Sequence, residues 1–313
     1  MRNTTVRRTT LAIAVVAALT GVAACGSSGS SDGKGKATGG ALQVSPIAAL
    51  RTAEQSTDKA NSAKVESTTT IGTVMAMTAK GSVRWGQGLN GTLTIDYTGG
   101  TMAEAMRKTG STSMEARYLP DAYYAHMSDT FARQSGGKHW LRYGYDDLAK
   151  IAGGSGAFLK DQMQNSTPNQ SVKLLLASGD VKKAGEATVR GEHTTHYAGT
   201  VSVADLAAKT SHLPQSQLDQ LKKQLAQAGV TTETVDIWVN DQQLLVKSHS
   251  TAHMTMGDMD QTSYYSDYGV QVLVQKPAAS DTMDFAQLLK KLGGSPNTAV
   301  GSGSEVGGSG ASS

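Results

Sequence analysis

The chain has 313 residues, with 29 basic and 26 acidic side chains and a single cysteine. The first 24 residues contain three arginines and no acid, so the remaining chain carries 26 basic and 26 acidic residues. Nucleic-acid-binding proteins carry a basic patch, and this balanced chain has no dense run of lysine and arginine. A disulfide within the chain and a cysteine-ligated zinc site are excluded because there is only one cysteine.

The first residues predict a secretory signal. Arg2, Arg7 and Arg8 precede a short apolar run over residues 11–19. A positive start followed by such a run and by small residues is typical of a signal peptide. The run is too short for a permanent transmembrane helix, which needs about 20 apolar residues. We therefore expect this segment to direct the chain across the membrane and then to be removed.

The cysteine stands directly behind this segment. Val22, Ala23, Ala24 and Cys25 resemble the bacterial lipobox, in which the chain is cut before the cysteine and the thiol is acylated with diacylglycerol. A buried structural cysteine is the alternative, but the Gly, Ser and Asp residues that follow offer no core. We expect residues 1–24 to be a lipoprotein signal peptide and Cys25 to carry acyl chains such as palmitate. Two chains anchor a protein stably, which predicts a location at the extracytoplasmic face of the cell membrane.

Composition divides the rest of the chain into three parts. Residues 25–44 are rich in Gly, Ser and Lys and predict a flexible tether. Residues 293–313 have a similar Gly/Ser composition and are expected to be disordered. Residues 45–292 contain no comparable linker and are numerous enough to bury a sizeable core, so they are predicted to form one domain.

The first block of this domain combines a helix with strands. Ser45 and Pro46 are typical of a helix start, and apolar residues at helical spacing continue to about Ala60. After Asn61 the apolar period changes to two, which favours strands. Strand-like segments follow over residues 65–71, 73–86, 91–99, 113–127 and 138–145. Residues 99–110 are interpreted as a loop or as a flap at the edge of a pocket.

The second block repeats this order after a helical insertion. Three short helices are predicted over residues 146–152, 156–165 and 169–180. Residues 215–229 form the clearest amphipathic helix, with leucines on one side and lysines off it. Strands are predicted over residues 185–203, 234–256 and 261–276, with a turn at Asn240 and Asp241. The total is about eleven strands in two blocks, each preceded by a helix.

Four segments carry a resemblance to a known family. They are "NSAKVES" (61–67), "GEATVRGEHTTHYAGTVSV" (185–203), "VDIWVNDQQLLVKS" (235–248) and "YSDYGVQVLV" (265–274). In this order they resemble the actinobacterial LppX/LprG-type lipoproteins, which have a LolA-like fold. The resemblance implies an α+β fold, with a single strongly curved antiparallel sheet, a half-barrel, and helices over its concave face. It also implies an apolar cavity that binds or carries a lipid or glycolipid without catalysis.

Methionine is abundant enough to suit such a cavity. The chain has 12 methionines, and the unbranched, polarizable Met side chain adapts to irregular ligands. Inward-facing side chains of the predicted strands would line the cavity. The candidates are Met75, Met77, Val83, Leu93, Ile95, Met114, Tyr124, Ile237 and Met254. Ordinary core packing is the alternative for any one of them, so the prediction concerns the group.

Other patterns give weaker indications of chemistry. Residues 86–91 match G-x-G-x-x-G, but a strand follows where a dinucleotide site needs a helix, so a hairpin turn is predicted. His249, His253, Met254 and Met256 are the best candidates for binding copper, although a strand directs the two ligand types to opposite faces. No G-x-S-x-G elbow marks a hydrolase. No catalytic residue, cofactor or metal ion is therefore expected.

The predicted function is lipid binding by a membrane-anchored lipoprotein. Two alternatives remain at this point: an anchored module that presents its surface to a sensor or a cell-envelope enzyme, and a copper-binding lipoprotein. The predicted partners are a lipid or glycolipid ligand, the cell membrane through acylated Cys25, and an envelope protein. Nucleic acid is not a predicted partner, because the mature chain is electrically balanced.

Overall fold

The computed structural model describes residues 45–151, 160, 163, 167–203, 215–227 and 229–291. The predicted signal peptide, lipobox, tether and C-terminal tail lie outside these residues, as does most of the helix predicted over 156–165. Within the described part of the chain there are seven α-helices and twelve strands. None of these helices is long and apolar enough to cross a membrane.

The elements follow the two-block order that the sequence predicts. The strands are β1 (Ser62–Ile71), β2 (Met75–Arg84), β3 (Asn90–Gly99), β4 (Ser113–Tyr118), β5 (Ala122–His126), β6 (Trp140–Gly144), β7 (Lys182–Val189), β8 (Glu192–Ser202), β9 (Thr232–Asn240), β10 (Leu245–Ala252), β11 (Met259–Ser266) and β12 (Thr282–Asp284). The helices are α1 (Pro46–Ala60), α2 (Gly100–Lys108), α3 (Asp129–Gln134), α4 (Tyr145–Ile151), α5 (Asn169–Ser178), α6 (Gln215–Gln227) and α7 (Phe285–Lys291).

All twelve strands form one sheet. Their order is β12-β6-β5-β4-β3-β2-β1-β11-β10-β9-β8-β7, and the sheet is open because its two end strands do not pair with each other. Neighbouring strands are antiparallel, except that β12 runs parallel to β6. The predicted α+β fold with a single sheet is confirmed. The sequence did not predict β12, because three residues are too few to produce a period-two signal.

Helix α1 begins and ends where it was predicted. The Oγ of Ser45 accepts a hydrogen bond from the backbone N–H of Ala48 at 3.2 Å, and Pro46 occupies the first helical position. Asn61 ends the helix in the left-handed conformation, with φ 62°, which Asn tolerates better than most residues. The chain enters β1 at the next residue, so α1 is held against the sheet.

Two segments differ from the prediction. The loop interpretation of residues 99–110 is wrong, because Gly100–Lys108 form α2 and bury Ala103 completely. Packing against β2 and β3 therefore stabilises a helix that is too short to form alone. The strand predicted to continue to residue 276 ends at Ser266, because Asp267 and Gly269 take positive φ angles of 48° and 82° and turn the chain away.

Residues 267–281 form what we call the crossing segment. The segment leaves β11 in the middle of the sheet and leads to β12 at its edge. The Nη1 of Arg117 donates to the carbonyl of Gln275 at 2.8 Å, and the Nζ of Lys276 lies 2.9 Å from the Oδ2 of Asp121. These contacts tie the segment to β4 and to the β4–β5 turn along one end of the sheet.

Helices cover one face of the sheet, which we call the inner face. Helices α1 and α5 pack on β8, β9 and β10, while α4 and α7 pack on the strands near the other edge. The first core contains Leu50, Ala53, Val172, Leu175, Tyr197, Val201, Val235, Ile237, Val239 and Leu245. The second contains Ala79, Ile95, Ala116, Tyr123, Ala125, Tyr145 and Leu148. The two cores lie toward opposite ends of the strand order.

Both edges of the sheet are irregular or short. On β7, Lys182 and Lys183 are exposed, and the pairing register with β8 shifts between Lys183 and Gly185. Gly185 has a φ of 149°, and a shift of this kind is a β-bulge. At the other edge β12 has three residues and is followed directly by α7. Each edge therefore offers little regular backbone for pairing.

Candidate functional site

A cavity of about 550 Å³ lies against the inner face. Its lining comes from seven adjacent strands, β9 to β4 in the sheet order, and from residues between Thr167 and Leu174 at the start of α5. Seven strands spaced about 4.8 Å apart would extend over roughly 29 Å in a flat sheet. A helix is only about 10–12 Å wide. The cavity therefore reaches across more strands than the start of α5 alone can cover.

One half of the cavity is apolar. It is formed by β2, β3 and β4 and by the turn before β3, and its described side chains are Met77, Ala79, Val83, Leu89, Leu93, Ile95 and Tyr118. Burial raises the pKa of Tyr118 to about 12, so its phenol is uncharged at neutral pH. This half can exclude water from a hydrocarbon chain, which is the main source of affinity for an apolar ligand.

The other half carries hydroxyl and amide groups. Strands β10, β11 and β1 present two cross-strand rows on the inner face, and we call these six residues the hydroxyl patch. The first row is Ser248, Ser263 and Ser67, and the second is Ser250, Gln261 and Thr69. Each residue lies directly opposite its neighbour in the register, so the rows cross three strands. The cavity therefore has an apolar half and a second half, which we call the polar half, where these six residues lie among Val65, Met259 and Tyr265.

Glu233 lies beside the hydroxyl patch on the neighbouring strand β9. Burial raises the pKa of its carboxyl, and a hydrogen bond from Ser250 opposes this effect in part. Among the described residues that line the cavity, Glu233 is the single acidic side chain, and lysine and arginine do not occur. The described lining therefore contains no basic side chain to pair with an anion.

A buried aromatic cluster closes the end of the cavity near the β2–β3 turn. Trp85 and Leu89 are almost completely buried, and the Nε1 of Trp85 donates to the carbonyl of Asp58 at 3.2 Å. The ring of Tyr268 meets Trp85 edge-on at 6.4 Å between ring centroids. Tyr268 also donates to the carbonyl of Leu245 at 2.5 Å. The crossing segment thus contributes directly to this closed end.

Methionines are exposed at the opposite end of the sheet. The N–H of Gly72, in the β1–β2 turn, donates to the carbonyl of Asp258 at 2.9 Å, and the N–H of Met102 donates to the carbonyl of Val74 at 2.9 Å. Helix α2 and the β10–β11 loop are therefore joined through this turn. Met102 and Met256 are exposed by 41% and 54%, which is unusual for large apolar side chains.

The nine candidate residues occupy different places. Met77, Val83, Leu93 and Ile95 line the cavity. Met75 lies at the start of β2, Met114 packs against the second core and Ile237 is fully buried in the first core. Tyr124 lies on the opposite face of the sheet, because its neighbours in β5, Tyr123 and Ala125, face inward. On that opposite face it pairs with Arg117 and Arg142 of the adjacent strands. Met254 was predicted to lie in a strand, but β10 ends at Ala252.

The copper candidates are not arranged on one strand. His249 belongs to β10 and its Nε2 lies 3.0 Å from the Oδ2 of Asp260, while His253 lies beyond the strand, 2.6 Å from Asp258. Among the described residues, no group of three or more His, Cys, Asp and Glu side chains is arranged to hold a metal ion. The G-x-G-x-x-G match at residues 86–91 falls on the turn between β2 and β3 and the start of β3, as predicted.

The sequence analysis missed the hydroxyl patch and Glu233. A signal was present, since Ser67 and Thr69 on β1, and Ser248 and Ser250 on β10, recur with the period of two that places side chains on one face. Hydroxyl side chains at this period are usually assigned to the solvent face of a sheet. Only the cross-strand register reveals that they face the cavity.

Comparison with known proteins defines the class of this chain. No protein-family model matches the sequence. This chain is 55% identical over 255 residues to a Streptomyces griseus protein described as an uncharacterized 31.2 kDa protein in the rplA-rplJ intergenic region. The matched residues cover 81% of this chain and 84% of the relative. SCO4650 of Streptomyces coelicolor, named as a candidate lipoprotein, is 46% identical over 310 residues, covering 94% of this chain and all of the relative. The chain belongs to the family of these two Streptomyces proteins.

Among solved structures, the lipoprotein LppX of Mycobacterium tuberculosis is similar to this chain. The TM-score is 0.45 at 16% sequence identity, and the alignment covers 74% of this chain and 98% of LppX. LppX is a member of the group that the sequence resembles.

Proposed function

We propose that the domain binds the acyl part of a lipid in the cavity, and that acylated Cys25 anchors the protein at the extracytoplasmic face of the cell membrane. The observation that carries this proposal is the cavity of about 550 Å³ with one apolar half. Its volume falls within the range of roughly 300–1,000 Å³ that is typical of ligand pockets. The role of the domain is binding or carriage of the lipid, without a chemical step.

Apolar burial supplies the affinity in this proposal. Each methylene group of an acyl chain that leaves water gains about 0.8 kcal/mol. A bilayer provides nearly the same environment as the apolar half of the cavity, so the net free energy of transfer from membrane to protein is small. Binding is therefore reversible, which is the property that a carrier or a sensor of membrane lipids requires.

The family supports the anchored location. SCO4650, which this chain matches over its full length, is named as a candidate lipoprotein. In this chain the lipobox-like residues Val22, Ala23 and Ala24 precede Cys25. A domain anchored in this way stays next to the lipids that the cavity would bind.

Two adjacent residues of β1 provide a matched test. Ser67 faces the cavity, whereas Thr68 is exposed on the opposite face of the same strand. We expect Ser67→Phe in the full chain to abolish or strongly reduce co-purified lipid, because the ring occupies part of the cavity. Thr68→Phe is expected to leave the bound lipid unchanged. The measurement is native mass spectrometry of the purified protein combined with analysis of organic extracts.

The result can contradict the proposal in two ways. Absence of bound lipid in the unsubstituted chain, after purification and after incubation with diacyl lipids, would count against a lipid-binding role. Equal lipid content in Ser67→Phe and Thr68→Phe, with both variants folded by circular dichroism, would show that lipid is bound elsewhere. The first outcome would leave the interaction-module alternative as the better explanation, whereas the second would exclude the cavity as the lipid site.

A further inference from the structure

We infer that the cavity selects amphiphiles whose polar end is uncharged and bears hydroxyl groups, and that it rejects those with a phosphate. This inference rests on the proposed lipid-binding function and concerns the polar half of the same cavity. The ligand class is an acyl lipid with a free hydroxyl group, for which diacylglycerol is the simplest probe.

The hydroxyl patch supplies the first part of the argument. Ser248 and Ser263 are nearly buried at 8% and 4% exposure, and Thr69 is buried as well. Polar groups at buried inner-face positions are costly unless they form hydrogen bonds. On the strands that flank the patch, β9 and β2, apolar residues occupy the equivalent inner-face positions. Tyr265 lies within hydrogen-bonding reach of Ser248 and Ser263. Hydroxyl groups can donate and accept, so the patch matches a hydroxylated ligand.

The charge of the lining supplies the second part. A phosphate in the polar half would lie close to the carboxyl of Glu233, and none of the described lining residues is a lysine or an arginine. Phosphate recognition in proteins relies on Arg, Lys or converging backbone N–H groups. The strands direct their N–H groups along the sheet toward paired strands, not into the cavity. At the start of α5, which also lines the cavity, Pro168 has no N–H and the N–H of Gln170 already donates to the carbonyl of Thr167 at 3.0 Å. An anionic headgroup would therefore lose its hydration and gain no counter-charge.

The state of Glu233 supplies the third part. Burial raises the pKa of its carboxyl, and an anionic ligand beside the ionised carboxyl would add like-charge repulsion to this cost of ionisation. The ionised form can accept hydrogen bonds from ligand hydroxyl groups. The protonated and the ionised carboxyl of Glu233 can both form hydrogen bonds with a polyol. The ionised carboxyl repels an anionic ligand. Glu233 is thus assigned as the residue that determines headgroup selectivity.

The test compares two lipids with identical acyl chains. The full chain is equilibrated at pH 7 with equal amounts of 1,2-dipalmitoylglycerol and dipalmitoylphosphatidylglycerol in mixed micelles, and bound lipid is read by native mass spectrometry. Both lipids carry hydroxyl groups, so the phosphate is the discriminating group. We expect at least a tenfold preference for the diacylglycerol. Glu233→Lys is expected to reverse the preference, because the ammonium pairs with the phosphate.

Controls keep the outcomes separate. Glu233→Gln removes the charge with little change of shape and is expected to reduce the preference for diacylglycerol at least threefold. This variant keeps the inference testable if Glu233→Lys fails to fold. Glu104→Gln, on the exposed surface of α2, is expected to retain the original preference. Equal binding of both lipids, or a preference that no Glu233 substitution alters, overturns the inference and leaves lipid binding intact. Binding of neither lipid overturns both.

Discussion

Asn169 shows how a single buried amide joins the helices that cover the cavity. It lies at the start of α5 with 1% exposure, and its Nδ2 donates to the Oδ1 of Asp58 on α1 at 3.0 Å. An amide is suited to this position, because it can donate to the carboxylate while adding no charge of its own. The neighbouring residues Thr167, Pro168 and Gln170 line the cavity, so this hydrogen bond fixes one wall of the site.

A charge-swap experiment tests this hydrogen bond. Asn169→Asp places a second carboxylate against Asp58, and we expect the free energy of unfolding to fall by about 2–3 kcal/mol, the cost of an uncompensated buried polar group. The double variant Asp58→Asn/Asn169→Asp restores one donor and one acceptor and is expected to recover at least half of the loss. Urea unfolding followed by circular dichroism provides the measurement. A double variant that is no more stable than Asn169→Asp would contradict the assigned pairing.

Individual residues show how far a single sequence can place a side chain. Four cavity candidates that were chosen because they lie in strands are among the residues that line the cavity: Met77, Val83, Leu93 and Ile95. Tyr124 was misassigned because β5 is apolar on both faces, "AYYAH", and such a run does not reveal which residues point inward. The register with β4 and β6 resolves this, and register depends on strand pairing that a single sequence does not specify.

At the scale of elements, the crossing segment is the feature that the sequence analysis predicted least well. Residues 270–274, "VQVLV", have strong strand propensity, yet Leu273 is 81% exposed and the segment lies outside the sheet. Two positive φ angles at Asp267 and Gly269 override the propensity by turning the chain away. By contrast, α1 was predicted to its exact ends, because its Ser-Pro start and Asn end are local signals.

Tyr268 links the crossing segment to the closed end of the cavity. We expect Tyr268→Phe to lower the free energy of unfolding by about 1–2 kcal/mol, because the buried carbonyl of Leu245 loses its donor. Tyr268→Ala also removes the contact with Trp85, and a loss of about 3–5 kcal/mol is expected.

The matched control for Tyr268→Phe is Tyr264→Phe. Tyr264 is a half-buried tyrosine of β11 on the face opposite the cavity, and its substitution is expected to change stability by less than about 0.5 kcal/mol. Urea unfolding measures all three variants under the same conditions. Equal stability of Tyr268→Phe and the unsubstituted chain would indicate that the crossing segment is held by its ion pairs instead.

At the scale of the whole molecule, the sequence predicted the architecture well and the interior less well. The resemblance to LppX/LprG-type lipoproteins implied a single curved sheet with helices on one face. The residue pattern by itself predicted strands in two blocks, each with a leading helix. The division of the cavity into an apolar and a polar half was not predicted, because it depends on which strands become neighbours. Strand β1 pairs with β11, about 190 residues away in the sequence, and local patterns contain no information on that pairing.

The anchoring of the whole molecule has its own test. We propose that acylated Cys25 keeps the domain next to the lipid surface. We expect Cys25→Ser to release the protein from the membrane fraction into the medium, as immunoblotting of cell fractions would reveal. Ser27→Ala, two residues further on, is the control and should remain with the membrane. Unchanged membrane association of Cys25→Ser would exclude the anchor.

The irregular edges of the sheet affect how many copies of the protein can share a surface. An open twelve-stranded sheet has two edges whose unpaired backbone groups can recruit strands from other molecules and begin aggregation. Here one edge carries Lys182, Lys183 and the bulge at Gly185, and the other is a three-residue strand followed by a helix. Proteins confined to a membrane meet one another far more often than proteins in bulk solution. With the membrane anchor proposed for Cys25, the blunted edges would let copies of the chain crowd together while each sheet remains open.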